Sequence, residues 1–200
     1  MRPTDPTDAT LSRLRRKAFA RPTLLVARRL LGCVLCHRVG DEVLRGRIVE
    51  IEAYTDDAAS HAAGRKRTPR NGVMFGSAGV AYIYFSYGMH HCFNVVTETE
   101  GVPGAVLIRG LDGALLAPGP GRACRALQLT LRDNGRDLTT DPDLWIAPGR
   151  SARRVVVQTT RIGIAKAAEL QRRFYLLGSA GVSKRDRGAE ARLTTLRVAG

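Results

Sequence analysis

Strand-like stretches dominate this chain and helical ones are few, and the clearest alternation of apolar and polar positions lies in its first third. Residues 48–54 alternate with β-branched and aromatic side chains and contain no Gly or Pro. Residues two apart on a strand share a face. Glu50, Glu52 and Tyr54 therefore point one way, and Val49, Ile51 and Ala53 point towards a core. Residues 33–39 and 42–53 read as two strands joined at Gly40-Asp41, a hairpin signal. A second hairpin runs from 81 to 97 around Tyr87-Gly88-Met89-His90, with Tyr82 and Tyr84 on one face and Ile83 and Phe85 on the other. Residues 105–109, 154–164 and 173–177 read as further strands.

Helical signals are fewer. Residues 11–20 suggest a short basic helix. Thr23 is a candidate N-cap for a helix through Leu31, stopped at Gly32. Residues 122–130 follow the breaker Pro118-Gly-Pro-Gly121 and look helical. A basic loop is expected at 64–72 and a polar, turn-rich stretch at 132–151, with Trp145 as a core anchor. No repeat and no interdomain linker is visible. The expectation is an α+β fold: a single domain with a mostly antiparallel curved sheet, a few flanking helices and a protruding β-hairpin. It spans 10–187, between a disordered tail at 1–9 and a charged tail at 188–200, and the stretch from 184 to 200 is expected to fray.

Charge narrows the partners. The chain of 200 residues carries a formal net charge of +14, with 32 basic residues, of which four are lysines. That balance favours a polyanion. No apolar run approaches the ~20 residues of a membrane span, and the N-terminal sequence lacks a signal-peptide stretch. A cytoplasmic protein, associated with the nucleoid through DNA, is expected.

Against this basic background, Glu50, Glu52, Asp56 and Asp57 fall close together. The strand geometry sets successive carboxylate Cα atoms roughly 7 Å apart. They fit either a solvated polar face or a site. Tyr87 at the hairpin tip, with Gly88 supplying backbone freedom, fits either an aromatic folded back on the core or a wedge pushed between bases.

Other motifs carry less. Cys33-Val-Leu-Cys36-His37 has the haem-attachment spacing, but in an apolar strand without an export signal. Cys92 and Cys124 are single, and His90-His91-Cys92 would alternate between strand faces, so neither zinc nor any other metal is expected. Disulfides are not expected in a reducing compartment. The deaminase pieces H-x-E and P-C-x-x-C are missing. Gly119-Pro-Gly121 before a helix reads more simply as a turn than as a phosphate cradle.

Taken in order, Glu50-Ile-Glu52-Ala-Tyr54, Ala59-Ser-His61, Thr68-Pro-Arg70-Asn71, Met74-Phe75, Tyr82-Ile-Tyr84, Tyr87-Gly88-Met89, Asn94 and Arg109 resemble the alkyladenine (3-methyladenine) DNA glycosylase family of the mammalian type. Ala27-Arg-Arg-Leu-Leu-Gly32, Gly119-Pro-Gly-Arg-Ala-Cys-Arg-Ala-Leu127 and Arg173-Phe-Tyr-Leu-Leu-Gly-Ser179 extend the similarity over roughly residues 20–187. Two departures stand near the DNA groove: Gly76-Ser-Ala-Gly79 lacks the proline often found there, and His90-His91 replaces residues that are often aromatic.

The resemblance implies a monomeric, cofactor-free enzyme of base excision repair. It would flip damaged purines (alkylated, deaminated or etheno adducts) out of double-stranded DNA and hydrolyse the N-glycosidic bond without cutting the strand. Glu52 would activate the water, with Arg109 holding water and carboxylate in register. Tyr54, His61 and Tyr84 would sandwich the base over Asn94. Tyr87 and Met89 would intercalate. Arg65, Lys66, Arg67 and Arg70 would meet the DNA backbone, and Glu50 would be structural. Two rivals stand beside it: a nuclease holding a divalent metal on Glu50, Glu52 and Asp56, and a nucleic-acid binding module without chemistry.

Overall fold

Strand β2, Glu42–Tyr54, is the spine of the molecule. The computed structural model describes residues 12–86, 88–149 and 155–198. Strand β1, Val34–Val39, returns into β2 through the two-residue turn Gly40-Asp41, with Gly40 at φ +60°. That is the left-handed backbone such a turn requires. β3, Ala81–Ser86, and β4, His90–Val96, form the second hairpin, and β5, Ala105–Asp112, pairs with β4 and with the length of β2. The short β6, Ala117–Pro118, pairs with β5, β7, Leu144–Ala147, with β1, and β8, Val156–Thr159, with β9, Arg173–Leu176. β1 and β9 occupy successive lengths of one edge of β2, with β5 along the other. Every strand pairing among the described residues is antiparallel, and the sheet curls into a half-barrel flanked by three helices. The α+β expectation holds.

Two register shifts against β5 flank Glu50. They are bulges, which bend a strand and re-aim its side chains. Ile48 and Val49 both enter the main core, and so do Ile51 and Ala53. Glu50 and Glu52 take the opposite face, but that face is not solvated: both carboxylates are fully buried.

The main core lies between the sheet and two helices. Helix α1, Thr23–Leu30, buries Val26, Ala27 and Leu30 there. It ends at Gly32, at φ +80°, whose N–H donates to the Ile48 carbonyl at 2.6 Å. Thr23 is the first helical residue rather than the cap. Pro22 holds the cap position, and the Thr23 hydroxyl bonds Thr97 at 2.8 Å and Glu98 at 2.7 Å. Helix α2, Pro120–Ala126, adds Ala123 and Cys124 to the same core. A second apolar cluster, including Met74, Phe75, Tyr82 and Ala105, lies across the sheet.

Three stretches differ from expectation. Residues 12–20 make only a 3-10 turn at Arg16–Ala18, because long-range contacts claim the segment. The Leu14 N–H donates to the Ile146 carbonyl, Arg16 pairs with Asp137, and Phe19 is fully buried. Within 132–151, strand β7 carries Trp145 into a small cluster with Cys36 and Ala147. Beyond 184 the described residues include helix α3, Arg187–Val198. Ala189 packs beside Val157 and Tyr175, and the Tyr175 hydroxyl donates to Glu190 at 2.8 Å. The stretch 1–9 lies outside the described residues.

Candidate active site

The face of the sheet opposite the main core opens into a cavity of about 980 Å³. Strand periodicity builds its floor. Tyr54 comes from β2, Tyr82 and Tyr84 from β3, Cys92 and Asn94 from β4, and Ala105, Leu107 and Arg109 from β5. On β3, β4 and β5 these residues are two apart, so one surface collects them.

Two carboxylates lie under this floor. Glu52 Oε2 accepts from the Tyr54 hydroxyl at 2.8 Å and from Arg109 Nη1 at 3.3 Å. Its Oε1 accepts from the Ile162 N–H at 2.7 Å. Burial and the neighbouring Glu52 carboxylate push the Tyr54 phenol up, so it stays protonated and donates. Glu50 is held by Arg173 at 2.9 Å, by the Ser183 N–H at 2.7 Å and by Arg109 Nε at 3.6 Å. Arg109 thus lies between the two carboxylates, and a buried charge of either sign is costly without such pairing. The roles separate by access. The groups bonded to Glu52 (Tyr54, Arg109 and Ile162) line the cavity, whereas Arg173 and Ser183, which hold Glu50, do not.

The aromatics form a second group. His61 Nδ1 and the Tyr82 hydroxyl share a hydrogen bond of 2.7 Å. His61 stands edge-on to Tyr84 with ring centroids 4.5 Å apart, and Tyr82 and Tyr84 lie 5.6 Å apart. Packing against these rings, and then the charge of Arg70, lower the His61 pKa. The imidazole is therefore neutral at pH 7. Burial pushes Tyr82 up to about 12 and raises Tyr84 as well. The Asn94 side-chain amide donates to the Tyr82 carbonyl at 3.0 Å and to the Cys92 carbonyl at 3.3 Å, which fixes it at the bottom of the cavity.

The basic loop is tied down by buried Asn71, whose amide donates to the carbonyls of His61 at 2.7 Å and Lys66 at 2.9 Å. Arg70 reaches the cavity wall, its guanidinium 5.6 Å from the Tyr84 ring centroid. Arg67 covers Phe75, and Arg65 pairs with Asp56 at 3.0 Å. Arg65, Lys66 and Arg67 are exposed and lie outside the cavity lining. Met89 is 68% exposed at the hairpin tip and borders a separate cavity of about 380 Å³ with His90 and His91. Tyr87 lies outside the described residues.

Among the described residues no three His, Cys, Asp or Glu side chains converge as metal ligands. Asp56, the third ligand of the nuclease alternative, is engaged by Arg65 at the surface, and Glu50 is held by Arg173 and the Ser183 N–H.

Sequence reasoning missed the opposite wall. The turn and helix at 118–125 and the loop at 162–166 line the cavity with Arg122, Arg125 and Lys166. It also missed Arg161, which pairs with Asp57 and lies over Tyr54. None of these four residues carries a local signal. They are distant in the chain, and Arg161 is one arginine among many.

The sequence pattern described as methylpurine-DNA glycosylase (MPG) matches this chain over residues 17–114 and 112–180. A Trichodesmium erythraeum protein, named by inference as a 3-methyladenine DNA glycosylase, is 42% identical over 189 residues, covering 82% of this chain and 94% of its own. A protein of the same name from Methanoculleus marisnigri is 46% identical over 188 residues, covering 84% and 96%. Another, from Anaeromyxobacter sp. strain Fw109-5, is 48% identical over 182 residues, covering 86% and 93%. Matches of this depth and extent, across a domain with a buried carboxylate beneath an aromatic cavity, place the chain: it belongs to the methylpurine-DNA glycosylase family.

Proposed function

We propose that this protein excises damaged purines, 3-methyladenine among them and with it other alkylated, deaminated or etheno bases, by hydrolysing the N-glycosidic bond with a water activated by Glu52. The observation that carries this is the environment of Glu52. It is a fully buried carboxylate in a strongly basic chain, held by Tyr54, Arg109 and the Ile162 N–H, all of which line the aromatic cavity.

The chemistry follows from that arrangement. A carboxylate has about four lone-pair directions, and three are taken, so one can accept from water. As the bond to C1′ lengthens, positive charge develops on the sugar, and an ionised Glu52 fixed nearby stabilises it. The water gives its proton to Glu52 and its oxygen to C1′, and the base leaves with the bonding pair. A neutral His61 adds no further positive charge to the wall that a cationic N-alkylated purine meets. The inserted base replaces the edge contact between His61 and Tyr84 and stacks on Tyr54, with Asn94 below it. Asn94 disfavours the exocyclic amine of normal guanine. Tyr87 and Met89 fill the gap left in the duplex. Arg65, Lys66, Arg67 and Arg70 face phosphates, which position the duplex without specifying sequence. The protein acts as a monomer without a cofactor, in the compartment that holds the DNA.

The product is an intact strand with an abasic site. Strand cutting uses an amine that forms a Schiff base with the sugar. Lys166 lines the cavity and is the amine to test for that step. Incubation of the protein with lesion-containing duplex and borohydride should trap no covalent adduct, and the strand should break only after alkali. A trapped adduct lost in Lys166→Ala would show a lyase instead.

A further inference from the structure

We infer that Arg161, with Asp57 as its counterion, is a positioning residue of the excision reaction, setting the plane of Tyr54 and seating the Ile162 N–H against Glu52. This rests on the glycosylase function proposed for the same cavity.

The Arg161 side chain has no exposure to solvent. It donates to Asp57 Oδ1 at 2.7 Å and Oδ2 at 3.1 Å, to the Ala53 carbonyl at 3.2 Å and to the Ala167 carbonyl at 3.3 Å. Its guanidinium centre lies 4.7 Å from the centroid of the Tyr54 ring. A buried ion pair is a poor way to gain stability, because a hydrophobic residue of similar volume packs there at least as well. What an arginine supplies and a hydrocarbon does not is direction: a rigid planar fork that fixes several acceptors at once and stacks on a ring.

The acceptors identify what is being fixed. Ala53 lies between Glu52 and Tyr54 on the strand that carries both. Ala167 closes the loop that begins at Arg161, so the guanidinium clips that loop onto the catalytic strand. The next residue, Ile162, donates its N–H to Glu52 Oε1 at 2.7 Å. Tyr54 is held at two points: its hydroxyl on Glu52 and one ring face under Arg161. Its remaining surface lines the cavity. Asp57 is itself braced, by Arg172 at 2.9 Å and the Ala59 N–H at 3.1 Å. Arg172 also donates to the Thr55 hydroxyl at 2.6 Å. One ion-pair network thus sets both the stacking platform and the orientation of the general base, yet neither Arg161 nor Asp57 lines the cavity.

Two variants test this, Arg161→Lys and Asp57→Asn, followed in single-turnover base release with enzyme in excess over a lesion duplex. The rate constant should fall about tenfold to a hundredfold, the scale of loss expected from a misplacement of around 1 Å. The fraction of lesion excised at the end point should match the parent, and affinity for undamaged duplex should change less than about threefold. The double variant should be no slower than the slower single, since both break one network. A variant that merely folds poorly has fewer active molecules but keeps the parental rate constant at saturating enzyme, and parental rate constants in both singles would overturn the inference. If the parent releases no base at all, the glycosylase function fails first, which distinguishes the two failures.

Discussion

Glu52→Gln should bind lesion-containing duplex nearly as well as the parent and release base on the order of 10²-fold more slowly, or worse, the range for loss of a general base. The substitution keeps the volume of the side chain, and the amide oxygen still accepts from Tyr54 and Arg109. It removes the proton acceptor and the negative charge facing the sugar. It also turns an amide N–H₂ towards the Ile162 N–H, a donor facing a donor. Single-turnover rates measured beside filter or anisotropy binding separate the two effects. A variant that excises at close to the parental rate would show that Glu52 is only a structural anchor.

Arg173→Met should destabilise the fold by about 3–5 kcal/mol, the cost of removing one partner from a buried ion pair. Arg173 is 4% exposed in its side chain and faces Glu50, which has none of its side chain exposed. It also donates to the Thr160 carbonyl at 2.8 Å and to the Lys184 carbonyl at 2.7 Å, tying β9 to the segment before α3. The Ser183 N–H would remain on Glu50, but Arg109, 3.6 Å away, is shared with Glu52. Denaturant unfolding checks the value. Adding Glu50→Gln should recover part of the loss, because the orphaned charge is then gone. A loss below about 1 kcal/mol would mean that the charge is already relieved by water or by Arg109.

Strand-level features were legible because they are local. Alternation over 48–54 put Glu50, Glu52 and Tyr54 on one face, and Gly40-Asp41 marked the first hairpin. Tyr82 and Tyr84 share the cavity face, while Ile83 enters the main core. What alternation could not give was burial on both faces of β2. Helix α1 packs over one face, while the loop at 161–167 and the segment at 181–184 close over the other, and no pattern within the strand reports a distant segment. Thr23 was misplaced by one position because Pro22 fits the cap backbone and Thr23 finds partners across the fold. Strand β7 was missed because four buried residues in a row show no period.

The site was legible in the same uneven way. Glu52, Tyr54, His61, Tyr84, Asn94 and Arg109 converge on one cavity or directly beneath it. Of the basic loop, only Arg70 reaches that cavity, and Met89 borders the smaller one. The second wall, with Arg122, Arg125 and Lys166, and the Arg161–Asp57 pair, 104 residues apart in the chain, depend on tertiary contacts.

The most direct test of the central claim is the release of free base in the presence of EDTA. Duplexes carrying 3-methyladenine, hypoxanthine or ethenoadenine are incubated with the protein, and the supernatant is resolved for free base while the strands are run on a gel. Free base should accumulate with EDTA present, at a rate set by Glu52, and strands should stay intact until treated with alkali. No free base from any of the three duplexes, or release that stops in EDTA and returns with a divalent metal, would contradict it.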